Sequence, residues 1–174
     1  MILSAASRVK TAAYAFLVLG ALLTGSATAH HAWTSQDTRY AYYMAGEVTY
    51  VRWGNPHVEV HLRVDNSAPP ADWLSRPLPP GAEEGDGRDT MVSARAYKGV
   101  HKELYLTLAP PDWMGRWGFH RRIEVGERLE AVGFLNVDGS EEMRPVMFWV
   151  SSGQGVWQKL LPFPARPEPA PSSN

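Results

Sequence analysis

Residues 57–64 (HVEVHLRV) alternate without a break: Val58, Val60, Leu62 and Val64 fall on one side, His57, Glu59, His61 and Arg63 on the other. A period of two marks a β-strand with one buried face. Before it, residues 42–53 (YYMAGEVTYVRW) are aromatic and β-branched with partial alternation, and Gly54-Asn55-Pro56 supplies the turn that ends them. Two consecutive strands are expected here.

Residues 65–90 lose both periods. Pro, Gly, Ala and acids dominate, a composition that buries little, so a long, flexible, exposed insertion is expected. A short strand at about 91–97 follows, and residues 102–108 (KELYLTL) resume a β pattern until Pro110-Pro111-Asp112 stops it. Proline near a first helical turn costs little, so a short helix is expected through Trp113, Met114 and Trp117. After Gly126 come a strand at about 128–135, a turn at Asp138-Gly139 and a last strand at 144–150. The Pro-rich residues 159–174 read as a disordered tail.

This order predicts an all-β, mainly antiparallel fold: a small OB-like five-stranded barrel with one short helix between its third and fourth strands. The alternative is a small β-sandwich.

The first residues change the picture of where the domain works. Arg8 and Lys10 precede an apolar stretch at 11–23, small residues follow, and Ala27-Thr28-Ala29 has the form of a cleavage site. Residues 1–29 are therefore expected to be a cleavable signal peptide and 30–158 a single domain, periplasmic or secreted. The stretch is shorter than the roughly 20 residues that span a bilayer, so no stable membrane anchor is expected after cleavage. Cleavage removes Arg8 and Lys10 but no acid, leaving a mature net charge of about −3 and nothing that suggests a nucleic-acid partner. The chain has no cysteine, which excludes disulfides, thiolate metal sites and c-type haem attachment.

Cleavage after Ala29 also changes the chemistry of His30. A terminal histidine offers its α-amine and its imidazole to one metal ion. His31 follows it directly. One more imidazole completes a three-nitrogen set, which favours copper in the Irving–Williams order. His57 and His61 lie on the same strand face but about 13 Å apart in Cα terms, too far for both to bind one ion. His57 is preferred because it follows the turn. Glu59, about 7 Å from each, is the candidate supporting partner or carboxylate ligand. The plainer alternative is that His57, Glu59, His61 and Arg63 form a solvated sheet face with cross-strand charge pairs, and His30 and His31 a frayed terminus.

Other histidines point less clearly to chemistry. His101 and His120 sit among Lys102, Arg121 and Arg122 and read as loop residues, while Trp113 and Trp117 read as packing, or as a platform for a sugar ring or base. The sequence contains no Gly-x-Ser-x-Gly elbow, Walker loop or His-Glu-x-x-His pair, and residues 138–142 lack the acid spacing of an EF-hand.

His30-His31-Ala32-Trp33, Gly46-Glu47-Val48, the segment from Val51 to His57 containing Trp53-Gly54-Asn55-Pro56-His57, Leu108-Ala109-Pro110-Pro111 and Val125-Gly126-Glu127 resemble a bacterial family of small exported proteins. That family carries a domain of unknown function with a His-His start and an Asn-Pro-His motif. The resemblance covers most of 30–150 and implies an exported β-rich domain, without an established activity. The chain departs from the pattern in the 65–90 insertion and in Trp117-Gly118, where a Gly-Trp pair is usual.

The function expected is therefore a non-enzymatic exported binding protein holding a divalent metal, copper first, through His30 and His57 or His61. The alternative is a metal-free periplasmic accessory module that binds a protein partner or a small ligand through the barrel face and its Trp residues. A redox enzyme built on the same histidines ranks third.

Overall fold

Strand β1 (Tyr42–Arg52) runs through the middle of the sheet and pairs with three others. Its register against β2 (Val58–Asn66) shifts twice, between Ala45 and Gly46 and between Val48 and Tyr50. Such irregularities bend a strand and raise its twist, as a sheet that closes on itself requires. Gly46 lies at the first shift, where a Cβ would stand 2.0 Å from the Arg63 carbonyl oxygen.

The computed structural model describes residues 35–83 and 85–158. The expected signal segment, His30, His31 and the Pro-rich tail lie outside the described residues.

The remaining elements among the described residues are a 3-10 turn at Trp73–Ser75, helix α1 (Gly87–Ser93), β3 (Arg95–Ala96), β4 (Glu103–Leu108), helix α2 (Pro111–Arg116), β5 (Arg128–Leu135), β6 (Glu142–Val150) and β7 (Gly155–Trp157). The barrel closes in the order β1-β2-β4-β6-β5 and back to β1, with β4 and β6 parallel and the other barrel pairs antiparallel. With α2 between its third and fourth strands, this is the expected OB-like arrangement. A sandwich does not form, because β1 pairs with both β2 and β5.

The core follows the strand alternation. Val58, Val60 and Leu62 of β2 are fully buried with Leu104, Leu106 and Leu108 of β4, and Phe119 packs edge to face on Phe148. Helix α2 starts with Pro111 in its first turn and buries Met114. Beyond its cap at Trp117 comes Gly118, whose φ of 87° belongs to the left-handed region. The Phe119 N–H then reaches the Met114 carbonyl at 2.9 Å and the Gly118 N–H the Gly115 carbonyl at 3.0 Å, a Schellman closure. Trp117-Gly118 thus serves as the helix stop.

The 65–90 segment differs from its expected exposure. Trp73 is buried against Tyr43 and Trp149, with ring centroids 4.9 and 5.3 Å away, and its indole N–H donates to the Met91 carbonyl at 2.9 Å. Ala82 and Met91 are also buried. One indole and a few small residues anchor a stretch whose average composition is poor in apolar surface. Of the strand expected at about 91–97, residues 91–93 end α1 and Arg95–Ala96 pair, parallel to Tyr42 and Tyr43.

Candidate functional site

The outward face of β2 meets residues of β1 and β4 in register: Arg52 and Thr107 flank Glu59, Tyr50 and Tyr105 flank His61, and Glu47 and Glu103 flank Arg63. Each row brings complementary side chains together, as cross-strand pairing favours. Arg63 meets Glu47 at 2.8 Å, and Arg52 meets Glu59 at 3.1 Å. Beyond β4, the Thr107 hydroxyl donates to Glu142 on β6 at 3.2 Å.

Glu59 and His61 are brought together. His61 Nε2 lies 3.0 Å from Glu59 Oε1, and this hydrogen bond, with that of Arg52, outweighs burial and holds the Glu59 carboxyl below its ordinary range. The His61 ring stands between Tyr50 and Tyr105, with centroid separations of 4.6 and 4.3 Å. Glu59 thus supports His61 and Arg52, and no bond joins it to His57 among the described residues.

His57 has different surroundings. It is half-buried at the start of β2, just after the cis Asn55–Pro56 peptide, and its buried Nδ1 has no hydrogen-bond partner among the described residues. Burial lowers its pKa, and the positive charges of Arg144 and Arg52 lower it further against an opposing pull from Glu142. These effects favour the neutral ring, which offers a lone pair and is the form in which imidazole binds a metal. Among the described residues no group of three or more His, Asp or Glu side chains is placed to hold a metal ion.

The other histidines are used locally or exposed. His101 Nε2 lies 3.0 Å from the Gly139 carbonyl and its Nδ1 3.4 Å from Glu141, while His120 is exposed. Trp113 is exposed and packs edge to face on the half-buried Trp117, so the α2 tryptophans divide between surface and packing.

Sequence reading missed Tyr50, Tyr105, Arg144 and Glu142 as neighbours of this face. Their signal lies in the register of β1, β4 and β6 against β2, which no single strand carries.

Comparison with known proteins gave no match: no family model, no curated protein and no solved structure matches this chain.

Proposed function

We propose that the protein is an exported binding domain without catalytic activity, which holds one divalent metal ion, copper, through nitrogen donors. The α-amine and imidazole of His30 supply two donors and the imidazole of His57 the third, with His31 beside them. The buried Nδ1 of His57, which has no partner among the described residues, carries this reading. A neutral imidazole without a hydrogen-bond partner has a lone pair to give, and leaving such an atom unsatisfied is otherwise unfavourable. His61 is the weaker ligand because Glu59 already engages it. The resemblance to exported proteins with a His-His start and an Asn-Pro-His motif agrees with this choice of residues.

Mass spectrometry and metal analysis of the secreted form test the proposal together. The expected result is a chain starting at His30 that carries about one copper per molecule after exposure to Cu(II). A chain starting elsewhere, or one that retains no copper after desalting, overturns it.

A second reading is a metal-free accessory module. The ion pairs and hydrogen bonds that tie Arg52, Glu59, His61, Arg63 and Glu47 favour it, because a laced polar face suits contact with a partner protein or small ligand. Full secretion and folding with no metal uptake is the outcome that selects it.

A further inference from the structure

A cleft of about 670 Å³ opens where the first residue of β1, strand β3 and the end of β5 meet, away from the histidine face. Tyr42, Tyr97 and Leu135 give it apolar walls, and Arg95 and Lys98 are the charged residues that line it. Neither cation is in an ion pair among the described residues. Glu141, whose field reaches Tyr97, is turned to His101.

The Arg95 guanidinium lies 3.6 Å from the centre of the Tyr40 ring. Stacking uses the flat face of a guanidinium and leaves its in-plane N–H donors for another group, and those donors match a carboxylate in fork geometry. The stack also holds the side chain in place before a ligand arrives, so less conformational entropy is lost on binding. In a chain whose formal net charge is −1, two unneutralised cations beside tyrosine walls form a local feature that the overall charge hides.

We propose that this cleft binds a small organic anion, a carboxylate carried on a flat apolar body. The carboxylate meets Arg95 and Lys98, which are exposed, and the apolar body lies against Tyr42, Tyr97 and Leu135. The cleft volume falls within the roughly 300 to 1,000 Å³ of small-molecule sites. The proposal is independent of metal binding and shares no residue with it.

Titration of the mature chain with benzoate, acetate and benzyl alcohol, followed through the backbone amide resonances of residues 95–99, tests it. Benzoate is expected to saturate at one site and to bind about tenfold more tightly than either control, since acetate lacks the apolar body and benzyl alcohol the charge. Arg95→Gln and Lys98→Gln should each weaken benzoate by about fivefold or more, and His57→Ala should leave it unchanged. Failure of benzoate to saturate, equal binding of either control, or full affinity in Arg95→Gln overturns the proposal.

Discussion

Arg76 reaches Glu130 on β5 at 3.0 Å, although 54 positions separate them in sequence. The guanidinium also lies 5.6 Å from the Trp73 ring centre and 5.7 Å from that of Trp149, and the Tyr43 hydroxyl donates to the same Glu130 oxygen at 2.7 Å. Burial works most strongly against the Arg76 charge, but the Glu130 hydrogen bond and the charges of Glu130 and Asp72 together outweigh it, and its pKa is raised. This contact fastens the 65–90 segment to the barrel. Arg76→Ala removes the ion pair and the contact with both indoles and is expected to cost about 2 kcal/mol. Urea unfolding measures the loss, and limited proteolysis should cut within 65–90 sooner than in the parent. Unchanged stability and an unchanged cleavage pattern would show that the contact does not hold the segment.

How much of this was legible in the sequence depends on whether the information is local. The faultless alternation of 57–64 names the buried face of β2, and Pro111 marks the start of α2, because each signal lies within a few residues. The 65–90 segment misleads because Trp73, a single residue, outweighs the composition around it by docking between Tyr43 and Trp149. Strand β7 is three residues long, too short for a pattern, and is defined by its pairing with β6. For the candidate site, the sequence places His57, Glu59 and His61 on one face. It does not say that Glu59 would turn to His61 and Arg52, which follows from cross-strand register.

Gly46 allows β1 and β2 to approach closely at the point where the sheet bends. Gly46→Ala puts a methyl group against the Arg63 carbonyl, so the strands must separate, and a loss of about 2 to 4 kcal/mol is expected in chemical denaturation. Gly54 has nothing within 4 Å of a Cβ position, and Gly54→Ala should stay within about 0.5 kcal/mol of the parent. Equal effects at the two positions would contradict the close-approach argument.

Glu127 makes stability sensitive to acid. Burial alone would raise its pKa, but hydrogen bonds from Arg121, the Ser151 hydroxyl and the Glu124 backbone N–H outweigh that and hold it below the ordinary value of 4.5. A carboxyl whose folded-state pKa is depressed contributes stability fully above its unfolded pKa and loses it as pH falls through the folded value. The parent should therefore lose more stability between pH 7 and pH 3 than Glu127→Gln does, measured by urea unfolding at both pH values. A Gln variant with the same pH dependence as the parent would remove Glu127 from the account.

The central claim is that a free His30 amine and His57 act on one copper ion. Calorimetric titration with Cu(II) compares three samples: the chain starting at His30, the same chain with one Gly added ahead of His30, and His57→Ala. The expected result is one tight site in the first and at least about tenfold weaker binding in each of the others, since each lacks one nitrogen donor. Equal Cu(II) affinity in all three samples would contradict the claim.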